Sequence, residues 1–228
     1  MSCSARDFHS ALRLTFSRNA DSERALGAAA YMRNQFPFFG IDAPTRRRLI
    51  REVQQKLGLP LSVLELADLC WVDREREMQY AACDVLSQSK VLRTLTPDDV
   101  PRLERLVLQK SWWDTVDVLA PTIIGGLLRP FPELVQWHAQ RMIASENIWL
   151  QRSAILLQLK YRDATDFDLL AECILLRASS DEFFVRKAAG WALRSYAYVK
   201  PDRVRTFVAD HRQILSGLTI REALKNVS

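Results

Sequence analysis

The segment Trp149-Leu-Gln-Arg152-Ser-Ala154-Ile-Leu-Leu-Gln-Leu159 returns without a gap as Phe183-Phe-Val-Arg186-Lys-Ala188-Ala-Gly-Trp-Ala-Leu193. An aromatic residue, an arginine and an alanine recur at the same offsets, and Arg221-Glu-Ala223 repeats the last two. The three arginines stand 34 and then 35 residues apart. A period of this length holds one helical hairpin, and such hairpins bury their apolar faces only by stacking on their neighbours. Upstream, Gln79-Tyr-Ala81-Ala-Cys-Asp-Val-Leu86 falls in the same frame 73 residues before Arg152, leaving room for a copy around Trp113–Leu119. The chain therefore reads as all-α: an α-solenoid of about six helical-hairpin repeats with a concave basic groove, forming one domain over residues 1–228. In such a groove Arg152, Arg186 and Arg221 form rungs of a ladder. The same three would equally serve to cap or brace neighbouring helices.

Helix starts fall where hairpins need them. Thr96-Pro97-Asp98-Asp99 supplies a cap, a first-turn proline and carboxylates suited to the helix dipole. Thr219-Ile-Arg-Glu222 has the form of a capping box, and Asp181 and Pro201 open two further helices. With only 7 glycines and 9 prolines among 228 residues, turn formers are too few for a fold of many short strands.

Composition narrows the function classes. The longest uncharged stretch, Val118–Leu128, has eleven residues and is broken by Pro121, Gly125 and Gly126. A bilayer span needs about 20. The opening Met1-Ser-Cys-Ser-Ala-Arg-Asp7 lacks the form of a secretory signal, so a cytoplasmic location with no membrane partner is expected. Cysteines 3, 70, 83 and 173 share no CxxC spacing and lie far from His9, His138 and His211. No metal, disulfide framework or cofactor is expected, and Cys70, Cys83 and Cys173 read as small buried hydrophobes. The net charge of +5 comes from 32 basic residues, of which 25 are arginine. Arginine presents a planar fork of donors that matches phosphate oxygens, so a polyanion is the expected partner.

The densest local signal is Ser111-Trp112-Trp113-Asp114-Thr115-Val116-Asp117. On a helix Trp113 and Asp117 share a face one turn apart, while Trp112 points about 100° away and belongs to the core. An indole beside a carboxylate is suited to holding a sugar or a cation. A core tryptophan next to a solvated aspartate is the plainer alternative.

Taken with Tyr31-Met-Arg-Asn-Gln-Phe-Pro-Phe-Phe-Gly-Ile41, Ala43-Pro-Thr-Arg-Arg-Arg48, Asn147-Ile-Trp-Leu-Gln-Arg152 and Glu182-Phe-Phe-Val-Arg-Lys-Ala-Ala-Gly-Trp191, this string resembles the AlkD-type DNA glycosylases. These are the HEAT-like-repeat members of the DNA alkylation repair enzymes, and the likeness runs in order from about Tyr31 to Asn226. The resemblance implies excision of cationic N3- and N7-alkylpurines from double-stranded DNA, without a strand-cleaving lyase step and with the base left stacked. It places the family's catalytic carboxylate on Asp117, its sugar-facing indoles on Trp113 and Trp191, and its phosphate-clamping arginine on Arg152. Tyr31 matches a tyrosine of the family's DNA surface. Arg186 stands where the family does not always keep arginine and is a further candidate DNA contact or a structural brace. A monomer is expected, since one groove suffices. The alternatives are a non-catalytic HEAT-repeat protein that binds distorted or branched DNA, and a helical scaffold for another protein.

Overall fold

The computed structural model describes residues 3–225, and Asn226, where the resemblance ends, lies outside them. Two compact units divide the chain, Met1–Thr94 and Leu95–Ser228. The described residues of both are helical and contain no strand. In the first unit the helices are α1 (Ala5–Arg18), α2 (Ser22–Tyr31), α3 (Ala43–Leu57), α4 (Val63–Val72), α5 (Arg76–Leu86) and the single turn α6 (Ser89–Leu92). Phe8, Leu12 and Phe16 recur every four residues on α1 and are fully buried, which docks that helix on α3 and α4. Asp21, Asp42 and Ser62 cap the next three helices by accepting from the N–H three residues on. Arg33 and Asn34 both take positive φ, 55° and 56°, and so end α2 just past Tyr31.

The second unit is a stack of hairpins. After the 3₁₀ turn Pro97–Asp99, which follows Thr96 in the expected cap position, come α7 (Val100–Leu108), α8 (Trp113–Val118) and α9 (Gly125–Leu128). Then follow α10 (Pro132–Ala144), α11 (Ile148–Leu156), α12 (Phe167–Leu176), α13 (Phe183–Ala197), α14 (Pro201–Asp210) and α15 (Gly217–Ala223). Helices α8, α11, α13 and α15 each pack against the next, while α10 pairs with both α11 and α12 and α14 lies on α13 and α15. This alternation of stacked inner helices with outer partners is the HEAT-like arrangement that the 34-residue interval implied. The period reappears in the polar contacts. Asp117 meets Arg152, Glu104 meets His138, Asp168 meets Arg203, and Arg177 donates to the carbonyl of Ile143, each pair 34 or 35 residues apart.

Two expected helix starts move. The N-cap of α15 is Ser216, whose hydroxyl accepts from the N–H of Thr219, and Thr219 lies inside the helix. Its own hydroxyl donates to the carbonyl of Arg186 at 3.2 Å, so tertiary contact claims the side chain that sequence offered as a cap. Helix α13 begins at Phe183 with Glu182 in the cap position, and Asp181 instead pairs with Arg186. Pro201 opens α14 as expected. Cys70, Cys83 and Cys173 are buried free thiols, in keeping with their reading as small buried hydrophobes. No described helix is long and apolar enough to cross a membrane.

Candidate functional site

Lys110 takes a left-handed conformation (φ 49°) just past α7, and the Ser111 hydroxyl donates to the carbonyl of Val107 at 2.7 Å. The chain then runs extended through Trp112 (φ −159°, ψ 159°) before α8 starts at Trp113. This short reversal sends the two adjacent indoles to different places. Trp112 joins a ring cluster, with centroids 5.7 Å from Trp149 and 5.2 Å from Phe184, and its buried Nε1 finds no acceptor among the described residues. Trp113, half-buried, stands one turn ahead of Asp117 on α8.

Asp117 is the penultimate residue of α8, immediately before the helix widens into a π turn over Leu119–Ile124. Pro121 supplies the local reason. It has no N–H to give to the carbonyl of Asp117 four residues back, and a π turn re-spaces the backbone there. The Asp117 carboxylate is held as a fork-to-fork pair. Arg152 Nε donates to Oδ1 at 2.7 Å and Nη2 to Oδ2 at 2.8 Å, while Nη1 donates to the carbonyl of Phe184 at 2.5 Å. One buried guanidinium on α11 thereby ties together α8 and α13. The Arg152 side chain is only 4% exposed, whereas that of Asp117 keeps 16% of its surface open. Desolvation raises the Asp117 carboxyl above its ordinary range; the Arg152 hydrogen bonds oppose this and the nearby Asp114 charge adds to it.

The other candidates stand on other helices. Trp191 is half-buried on α13, seven residues past Phe184, which is two turns or about 10 Å along the axis. Arg186 is spent locally, with Nε donating to the carbonyl of Ser180 at 2.6 Å and a second nitrogen pairing with Asp181. Tyr31 belongs to the first unit. The residue is 72% exposed and lines a cavity of about 310 Å³ with Phe38, Tyr80, Arg24 and Arg46 among others. The structure thus brings Asp117 and Arg152 together, sets Trp113 on the same helix, and leaves Trp191 and Arg186 on a neighbouring one.

Residues 12–227 match the family described as DNA alkylation repair enzyme. The chain belongs to the DNA alkylation repair enzyme family. Among solved structures it is similar to a predicted DNA alkylation repair enzyme from Enterococcus faecalis. The two share 31% sequence identity with a TM-score of 0.83, covering 92% of this chain and 97% of that one. No curated protein gives a significant match.

Membership in the DNA alkylation repair family leaves parts of the site that residue types did not announce. The third acceptor for Arg152 is a main-chain carbonyl, which no motif encodes. Trp149 and Phe184 form the wall behind Trp112, with ring centroids 4.9 Å apart. Trp149 is the aromatic that starts its repeat copy, whereas Phe184 aligns with Leu150 and follows the aromatic Phe183 that starts the next.

Proposed function

We propose that this member of the DNA alkylation repair family is a monofunctional DNA N-glycosylase that removes positively charged N3- and N7-alkylpurines, such as 3-methyladenine and 7-methylguanine, from duplex DNA. The observation that carries the reading is the Asp117 carboxylate, 16% exposed and oriented on both oxygens by a buried arginine, with an indole one turn away.

Such a purine already bears a positive charge and leaves without a general acid. As the bond from its ring nitrogen to C1′ lengthens, the electron pair departs with the base and the deoxyribose becomes oxocarbenium-like. A fixed anion stabilises that state more than the neutral sugar of the ground state, and desolvation strengthens its field. Asp117 supplies this anion and orients the water that attacks C1′; the departed base is neutral, and the proton the water sheds as the C1′–O bond forms passes to solvent. The faces of Trp113 and Trp191 offer negative quadrupoles to the same developing cation, worth about 1–2 kcal/mol each once desolvated. The bidentate pair with Arg152 costs some of the anion's strength and returns geometry, since the carboxylate needs no reorganisation when the sugar turns cationic. Each terminal nitrogen keeps one hydrogen that Asp117 and Phe184 do not take up, but with its side chain 4% exposed Arg152 serves this reading chiefly by orienting Asp117.

Selectivity on this reading comes from the lability of the cationic lesion, with the backbone gripped and the base left stacked. Lys187 is ion-paired to Glu222 at 2.6 Å, which fits poorly with an imine-forming nucleophile and supports hydrolysis alone. The test is incubation with methylated duplex. Free 7-methylguanine or 3-methyladenine should appear, leaving intact abasic strands that break only on alkaline treatment. Binding of that duplex with no base released would favour a non-catalytic DNA-binding protein.

A further inference from the structure

Lys187, Gly190, Trp191 and Arg194 of α13 fall within about one third of the helix circumference at 100° per residue. Gly190 leaves bare backbone there. A Cβ on it would stand 2.4 Å from the Cβ of Glu222 and 2.8 Å from the carbonyl oxygen of Thr219, so α15 lies directly against this strip. From across the gap Glu222 takes two cations, Lys187 Nζ at 2.6 Å on Oε1 and Arg194 Nη1 at 2.5 Å on Oε2. Lys187 precedes Trp191 by one turn and Arg194 follows it by three residues, so the paired cations bracket the indole along the helix. The Glu222 side chain is 14% exposed, and the Lys187 hydrogen bond chiefly holds its carboxyl below the usual range.

We propose that Glu222 is a positioning residue for Trp191: by clamping Lys187 and Arg194 across Gly190 it fixes the indole and keeps both cations away from the indole's face. The inference rests on the glycosylase reading of Trp191. An ammonium released at position 187 is within reach of an indole one turn on and is attracted to the same negative face that a cationic sugar would use. Losing the carboxylate would then do two things at once. It would loosen the ring and install a competing charge beside it.

The experiment compares Glu222→Gln and Glu222→Asp, each with and without Trp191→Phe, in single-turnover base release and in binding to abasic-site duplex. Glu222→Gln should slow release about five- to twentyfold at saturating enzyme, with DNA affinity unchanged or tighter because two cations are freed. Glu222→Asp, too short to hold both cations, should fall between it and wild type. In the Trp191→Phe background Glu222→Gln should cost less than twofold, and an undiminished loss there would overturn the proposal. A second readout does not depend on catalysis. With 5-fluorotryptophan incorporated, the ¹⁹F resonance of Trp191, assigned through Trp191→Phe, should shift or broaden in Glu222→Gln while those of Trp112 and Trp149 stay in place. An unmoved Trp191 resonance refutes the clamp whatever the activity. A shifted resonance in a protein whose wild type releases no base refutes the glycosylase reading and leaves the clamp standing.

Discussion

Asp117 carries two opposing demands. A carboxylate that steadies a sugar cation must be ionised, yet desolvation favours its neutral form, and Arg152 is the group that offsets desolvation. The acid limb of base release should therefore sit above the ordinary aspartate value of about 4, with activity falling as protonation removes the anion. Replacing Arg152 by lysine keeps a charge but loses the planar fork, so that limb should move to still higher pH. A pH–rate profile of the two proteins checks both statements, and coincident limbs would show that Arg152 does not hold the carboxylate ionised. At this scale sequence was informative about residue types and silent about their pairing. The spacing of Trp113 and Asp117 was visible in the string. That Arg152 is buried on Asp117 was not, because a surface rung and an interhelical brace share one repeat position.

The elements were legible where local chemistry alone sets them. Thr96, Pro201 and the 34-residue interval all fix features that appear as read. They were misread where a neighbouring helix decides. Thr219 gives its hydroxyl to a carbonyl of α13, and the α8 to α9 segment contains a π turn that hydrophobic periodicity does not reveal. Close helix approach has a direct consequence. A Cβ at Gly125 would stand 2.1 Å from the carbonyl oxygen of Leu157, a backbone atom at the end of α11, whereas one at Gly27 on α2 would meet nothing within 4 Å. Gly125→Ala should thus destabilise by about 1–3 kcal/mol despite alanine's better helix propensity. Gly27→Ala should be neutral or stabilising by up to about 1 kcal/mol. Thermal melts of the two variants separate these outcomes, and equal melting temperatures would mean the α9 to α11 contact is looser than described.

Across the whole molecule, carboxyls in both units are held below their usual range. Hydrogen bonds from Thr45 lower Asp42. At Glu75 and Glu104 desolvation pushes up but is outweighed, by Arg13 at the first and by His138 with Arg141 at the second, while Lys187 lowers Glu222. A depressed folded-state value means that the unfolded chain binds more protons in the acid window. The contribution is complete above the unfolded value of about 4 and is lost as pH falls through the folded values. Asp117 has the opposite sign, its share being lost as pH rises through its folded value, but it is one group against four. Urea midpoints should accordingly fall between pH 6 and pH 3, and a midpoint unchanged over that range would contradict the ion-pair assignments. The decisive measurement is single-turnover release of 7-methylguanine from methylated duplex by wild type and Asp117→Asn, with affinity for abasic-site duplex recorded alongside. Release should drop about 10²- to 10³-fold with affinity retained, as expected for deletion of one preorganised electrostatic group. Equal release rates from two folded, DNA-binding proteins would remove Asp117 from the chemistry.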